Sequence, residues 1–305
     1  MRIVFMGTPD FAVASLDALI SNGFNVIAVV TAPDKPAGRG LKMSQSAVKQ
    51  FALQHNIPVL QPEKLKDPAF IDTLKKLAPD LQIVVAFRML PEIVWNMPPL
   101  GTINVHGSML PQYRGAAPIN WAVINGEKTT GVTTFKLKHE IDTGDILLQE
   151  SMEIGEDETA TEVHDRMKVT GANLLVKTLK QLEAGNILEQ PQQITADNKH
   201  APKIFTAECI IHWNNTVETL HNLVRGLSQF PGAITYLDGK ILKVYRSKKE
   251  LVAHNFEPGK ILTDNKTFLK FSCSNGYLHL LEIQMEGKKR MPVTDFLRGY
   301  TIQEK

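Results

Sequence analysis

The chain opens on Arg2-Ile3-Val4-Phe5-Met6-Gly7-Thr8-Pro9-Asp10-Phe11, and this stretch decides the fold. The apolar run Ile3–Met6 reads as a short buried strand. Thr8 and Pro9 supply an N-cap and a first helical residue. Phe11, Ala14, Leu16, Leu19 and Ile20 then trace one helical face, which Gly23 closes. A strand that feeds directly into a helix is the opening of a βαβ unit.

The same alternation continues outward. Val26–Thr31, Pro58–Leu60, Leu81–Phe87 and Ile103–His106 read as strands, Ala47–His55 and Phe70–Leu77 as helices. This is the sequence form of a parallel sheet covered on both faces, with ligands bound beyond the carboxyl ends of the strands. Gly7-Thr8-Pro9, the segment after Phe87 and the segment after His106 are therefore expected to converge on one crevice. The first turn offers only Gly7, without G-x-G-x-x-G, and no G-x-x-x-x-G-K-[ST] occurs, which disfavours NAD and ATP chemistry.

Thr159–Glu183 has the period of a long amphipathic helix, stopped by Ala184-Gly185-Asn186. Gln190–Pro202 is polar, contains two prolines and has no clear period, so it reads as a linker. Beyond Lys203 the texture changes. One helix, Thr216–Leu227, precedes the short strand-like runs Ala233–Leu237, Lys240–Arg246, Lys260–Leu262, Thr267–Ser272 and Tyr277–Gln284, with a hairpin signal at Asp238-Gly239. These predict a small β-barrel of OB-like type. The expected division is a catalytic domain over 1–189, a linker over 190–208 and the barrel over 209–305.

A length of 305 residues suits two such domains, and 43% hydrophobic with 22% charged residues argues against disorder. No run approaches the ~18 apolar residues of a membrane span. The N-terminus is apolar too briefly for a signal peptide. Cys209 and Cys273 cannot make a disulfide framework or a four-ligand zinc site, so no metal is expected and a reducing cytoplasm is. Residues 190–305 carry sixteen Lys/Arg against eleven Asp/Glu, whereas residues 1–189 carry eighteen against twenty-one. A basic C-terminal part hints at a polyanionic partner.

The chemistry is concentrated in Asn104-Val105-His106-Gly107-Ser108-Met109-Leu110-Pro111-Gln112-Tyr113-Arg114-Gly115-Ala116-Ala117-Pro118 and in Ile141-Asp142-Thr143-Gly144-Asp145. Asn104 and His106 share one strand face. Asp142 or Asp145 can reach His106 from a neighbouring loop and orient its ring. An amide donor and a histidine stabilise an oxyanion, and a carboxylate helps to move protons. These groups suit acyl transfer to a substrate that brings its own nucleophile.

The composite N-x-H, S-x-L-P-x-Y-R-G and D-T-G-D pattern resembles the signature of the 10-formyltetrahydrofolate-dependent formyltransferases. Gly7-Thr8-Pro9-Asp10-Phe11, the loop Ala32-Pro33-Asp34-Lys35-Pro36-Ala37-Gly38-Arg39-Gly40, Trp213 and Phe230-Pro231-Gly232-Ala233 resemble the branch that acts on initiator methionyl-tRNA. The resemblance implies an α/β fold class: an N-terminal Rossmann-like formyltransferase domain with a mostly parallel sheet, and the smaller C-terminal barrel. It implies Asn104, His106 and Asp142 as the catalytic triad and 10-formyltetrahydrofolate as co-substrate. Ser108, Met109, Leu110 and Pro111 would form part of the folate pocket. Backbone at Phe87, Arg88, Met89 and Leu90 and the loop at Glu140 and Ile141 would hold the pterin.

Pro33, Pro36, Gly38 and Gly40 argue against regular structure in the loop, and Lys35, Arg39 and Lys42 make it basic. The resemblance implies that it engages the acceptor stem. Lys203, Arg225, Lys243, Arg246, Lys248 and Lys249 are further candidates for tRNA backbone contacts. Arg88 departs from the family pattern and is expected either to touch the pterin or to point to solvent. The chain is expected to act as a monomer off the membrane. A formyltransferase for an amino sugar or glycinamide ribonucleotide, or a formyltetrahydrofolate hydrolase, would share the triad; the basic loop and the barrel argue against these.

Overall fold

A computed structural model describes residues 1–37 and 42–303. Arg39, with Gly38 and Gly40, lies outside the described residues. The chain forms two compact units, one of Met1–Gly115, Gly131–Met152 and His164–His200, the other of Ala116–Thr130, Glu153–Val163 and Ala201–Lys305.

The first unit is built on a seven-stranded sheet. Its strands are β1 (Arg2–Gly7), β2 (Asn25–Val30), β3 (Val59–Leu60), β4 (Leu81–Val85), β5 (Thr102–His106), β6 (Thr129–Lys136) and β7 (Ile146–Glu153). They lie in the order β7-β6-β5-β4-β1-β2-β3. The first five pair in parallel, and β6 runs antiparallel to β5. Ile3, Val4, Phe5 and Met6 are wholly buried, because helices cover both faces of a parallel sheet and its strands are apolar without alternation. Val4, Met6, Ala28, Val30 and Val84 form one core with Phe70, Ile71 and Leu74 of the helix Pro68–Leu77. Asp67 starts that helix by accepting from the Ala69 N–H at 2.9 Å.

The register levels the strand ends as expected. Gly7 stands opposite Val85, and Val85 opposite Val105. The helix Asp10–Ser21 differs at its start: Pro9 is its N-cap, in extended conformation, and no side chain caps it. Thr8 therefore sits one residue too early to serve. Gly7 has a steric role there. A Cβ at Gly7 would lie 2.6 Å from Ala12 Cβ and 3.1 Å from the Val85 carbonyl oxygen. The glycine lets the helix start press against the sheet.

Two further features depart from the sequence reading. Lys35–Ala37 and Lys42–Ser44 pair antiparallel, so the basic loop is a ribbon at its base. Proline is tolerated on such an exposed two-stranded edge. Lys49 Nζ and Gln61 Nε2 donate to the Asp34 carboxylate at 2.6 and 2.7 Å, pin this base and hold that carboxyl below its ordinary range. Strand β7 was not legible because it is a sheet edge, partly exposed and without clean alternation. The helix Ala160–Glu183 buries Met167, Leu174, Leu175 and Leu179.

The second unit holds an antiparallel sheet of β8 (Ala233–Leu237), β9 (Lys240–Leu251), β10 (Ile261–Thr263), β11 (Leu269–Cys273) and β12 (Gly276–Met285), with Met291–Pro292 added beside β12. The order β8-β9-β12-β11-β10 makes a curled half-barrel. Register shifts between Val244 and Ser247 bend β9. They also break the alternation, so the strand pattern in the sequence ends at Arg246 although the strand runs on to Leu251. Asp238 and Gly239 take φ of 50° and 75°, as a tight hairpin turn requires. The helix Val217–Leu227, capped by the Thr216 side chain, buries Val217, Leu220, Val224 and Leu227 in the core of the curl. Trp213 stacks on Phe271 at 4.3 Å. Cys209 and Cys273 are free and buried, and burial pushes both thiols up. Among the described residues, no helix is long and apolar enough to cross a membrane.

Gly7→Ala forces its methyl group against Ala12 and the β4 backbone. Overpacking of this kind is expected to cost about 1–3 kcal/mol, read as a lowered denaturant midpoint with an unchanged m-value.

Candidate active site

Asn104 and His106 sit two apart on β5 and share a face. His106 is 6% exposed. Its Nε2 lies 3.0 Å from the Tyr113 carbonyl oxygen. A carbonyl only accepts, so Nε2 carries a proton and donates. The opposite nitrogen, Nδ1, lies 3.8 Å from Asp142 Oδ2. That is ion-pair range and too long for a direct hydrogen bond. The ring meets Phe135 edge-on, with centroids 6.5 Å apart. Asn104 is half-buried, and its side chain makes no hydrogen bond among the described residues.

Asp142 is the carboxylate that approaches His106, not Asp145. Asp145 pairs with Lys138 at 2.8 Å. Asp142 holds φ of 54°, the left-handed region, and its Oδ2 accepts from the Gly115 N–H at 3.0 Å. Gly144 is obligatory in this loop, because a Cβ there would fall 1.5 Å from the Lys136 carbonyl oxygen.

The loop after His106 is folded on buried hydroxyls. Ser108 is fully buried and its Oγ donates to the Gln112 carbonyl at 2.6 Å. Thr133 Oγ1 donates to the Ser108 carbonyl at 2.7 Å and accepts from the Leu110 N–H at 3.1 Å. Gln149 Nε2 donates to the Leu110 carbonyl and to Thr133 Oγ1, each at 2.9 Å. Met109 lies over Gly131, where a Cβ would meet its Sδ at 2.4 Å. Leu110 is buried, whereas Met109 and Pro111 are half-buried. Thr133, Gln149 and Gln192 belong to the framework of the site and have no counterpart among the residues the sequence singles out. A threonine on a strand and a glutamine on an edge carry no local signal of such contacts.

The segment after β4 turns at Ala86, with φ of 47°. Phe87 packs on the core and Leu90 is part of it. Met89 is 77% exposed, as is 64% of Ile141, and Glu140 is exposed with its carbonyl accepting from Thr143. Arg88 is exposed and donates to the backbone carbonyls of Glu63, at 2.8 Å, and Pro62, acceptors that suit the forked donors of a guanidinium.

The cations divide by partner. Lys35 is exposed on the ribbon, and Lys42 begins its second strand. In the second unit Lys203 is exposed, 5.5 Å from the Phe205 ring centroid. Arg246 is half-exposed and pairs with Glu162 at 2.5 Å. Burial raises the Glu162 carboxyl, but the Thr159 N–H and Arg246 outweigh it and hold it below its ordinary range. Lys249 pairs with Glu156 and Glu218, and Lys243 donates to the Pro231 carbonyl. Arg225 is a correction. It is 5% exposed and bound to Asn222 and to the carbonyls of Gly155 and Glu158, so it is an interior residue rather than a surface phosphate contact. Among the described residues, no group of three or more His, Cys, Asp or Glu side chains could hold a metal ion.

Comparison with known proteins shows the family. Residues 1–179 match the family described as Formyl transferase, and residues 203–301 its C-terminal domain. The methionyl-tRNA formyltransferase of Parabacteroides distasonis is 53% identical over 310 residues, covering 98% of this chain and 96% of that protein. Among solved structures, WlaRD, a sugar 3N-formyl transferase in the presence of dTDP and 5-N-formyl-THF, superposes with a TM-score of 0.70 at 20% identity, over 95% of this chain and 99% of that one. HypX from Aquifex aeolicus in complex with tetrahydrofolic acid gives 0.67 at 18% identity; this chain is covered completely and spans 49% of HypX. These two share the fold. With both parts matched and more than half of the residues shared with a full-length relative, the chain belongs to the formyl transferase family.

Proposed function

We propose that the protein transfers the formyl group of 10-formyltetrahydrofolate to the α-amino group of methionine on initiator methionyl-tRNA, as a cytoplasmic monomer. The observation that carries this reading is the juxtaposition at the end of β5. The Asn104 amide, which has no hydrogen-bond partner among the described residues, shares a face with an imidazole that is fixed through Nε2 and faced by a carboxylate through Nδ1. The full-length similarity to a methionyl-tRNA formyltransferase supports the acceptor. On this reading residues 1–189 carry the triad, 190–208 lead from its margin to the second part, and 209–305 engage the tRNA.

The donor set fits the folate. A free carboxamide and an imidazole suit a carbonyl oxygen that gains negative charge, and the exposed apolar side chains of Met89 and Ile141 suit a flat ring. Ser108, Met109, Leu110 and Pro111 shape one wall, the first and third from within. Backbone at Phe87 and Arg88 and at Glu140 supplies hydrogen-bonding edges. When bound, 10-formyltetrahydrofolate supplies an activated formyl group.

The chain's residues then do four things. Asn104 donates to the formyl oxygen as charge develops there. His106, protonated at Nδ1, places positive charge beside the same oxygen. Asp142 orients the ring and receives the proton of the attacking amine, directly or through one water; as the bond between the formyl carbon and N10 breaks, it returns that proton to N10, leaving tetrahydrofolate. Buried framework groups around Thr133 keep this geometry fixed. No side-chain nucleophile is needed, and both cysteines are buried with raised thiol pKa.

The test is formyl transfer from 10-formyltetrahydrofolate with charged initiator tRNA, free methionine or an amino sugar as acceptor. Formylation of the tRNA is expected; release of tetrahydrofolate without it would refute the reading. His106→Ala and Asn104→Ala should each lower kcat by roughly 10²–10³-fold with little change in tRNA affinity, and wild-type turnover in either would remove that residue from the mechanism. Arg39→Ala should raise KM for charged tRNA and flatten the log–log salt dependence by about one unit. An unchanged salt slope would exclude a phosphate contact at that position.

A further inference from the structure

The stretch that the sequence presents as a linker reaches into the site. Gln190 and Ile146 exchange two backbone hydrogen bonds, at 2.8 and 2.9 Å, which carry the chain alongside the loop that holds Asp142. Two residues later, Gln192 inserts its amide between two segments. Its Nε2 donates to the carbonyls of Asp142, at 2.9 Å, and Gly144, at 2.8 Å. Its Oε1 accepts from Arg114 Nε at 3.0 Å and from the Arg114 terminal nitrogen at 2.5 Å. The orientation is fixed by chemistry, because carbonyls only accept and a guanidinium only donates. All four hydrogen-bonding positions of the side-chain amide are used.

The two bridged segments control the triad. Residues 113–115 hold His106 through the Tyr113 carbonyl and Asp142 through the Gly115 N–H. Residues 142–144 carry Asp142 in a left-handed conformation that a non-glycine residue keeps only when its surroundings impose it. One side chain thus ties the backbone that orients the imidazole to the backbone that presents the carboxylate. The geometry points to Gln192, braced by Arg114, as a positioning residue that sets the approach of Asp142 to His106. This inference rests on the proposed transfer reaction, in which Asp142 acts on the attacking amine.

The experiment uses the full chain with Gln192→Ala and Gln192→Glu. Displacing a catalytic group by about 1 Å costs up to ~10²-fold in rate. Gln192→Ala is expected to lower kcat roughly 10–100-fold while KM for both substrates stays within about twofold. Hydrogen exchange at the Gly115 amide should accelerate, because its acceptor, Asp142 Oδ2, is released. Gln192→Glu keeps the pairing with Arg114 but sets a carboxylate against two carbonyls, so it should fail as the alanine variant does. Wild-type kcat in either variant would overturn the proposal. So would a loss of kcat with unchanged Gly115 exchange. Should the wild type transfer no formyl group, the functional reading fails, while Gly115 exchange still decides whether Gln192 positions Asp142.

Discussion

The hydrogen bond from His106 Nε2 to the Tyr113 carbonyl is the constraint on which the rest of the site depends. It consumes one face of the imidazole with a group that can only accept, and so leaves Nδ1 as the nitrogen turned toward Asp142. Tyr113 is itself buried at φ of 57°, a costly conformation for a bulky residue. Its N–H donates to the Lys199 carbonyl at 2.6 Å, and its neighbours are tied through Arg114 and Gly115 to the Asp142 loop. The ring orientation is therefore set by backbone that has few alternatives.

The scaffold explains why that backbone is available. A parallel sheet delivers the ends of β1, β4 and β5 to one edge, and β6 then returns antiparallel beside β5. Thr133 on β6 stands opposite His106, so its hydroxyl can organise the loop that leaves β5. The buried apolar strands supply rigidity, and the loops carry the chemistry.

Much of this was legible in the sequence because the deciding signals are local. Apolar runs at β1, β4 and β5 lie on wholly covered strands, and Asn104 and His106 two apart need only strand geometry to share a face. The hairpin at Asp238-Gly239 follows from two left-handed residues. Legibility failed where partners are distant. Spacing alone leaves Asp142 and Asp145 equal, although the resemblance names Asp142; Gly115 and Lys138 are what separate the two. Arg225 looked like a surface cation until the carbonyls of Gly155 and Glu158 enclosed it. Gln192 sat in a stretch without period, and its role exists only through Arg114, Asp142 and Gly144. Edge strand β7 hid because partial exposure erases alternation.

The most direct test of this account is 15N NMR of the His106 imidazole, in its neutral form, in the full chain. The account predicts that the neutral ring carries its proton on Nε2, with Nδ1 unprotonated and sensitive to Asp142→Asn. A ring protonated on Nδ1, with a bare Nε2, would contradict the Tyr113 hydrogen bond and with it the ring orientation on which the site depends.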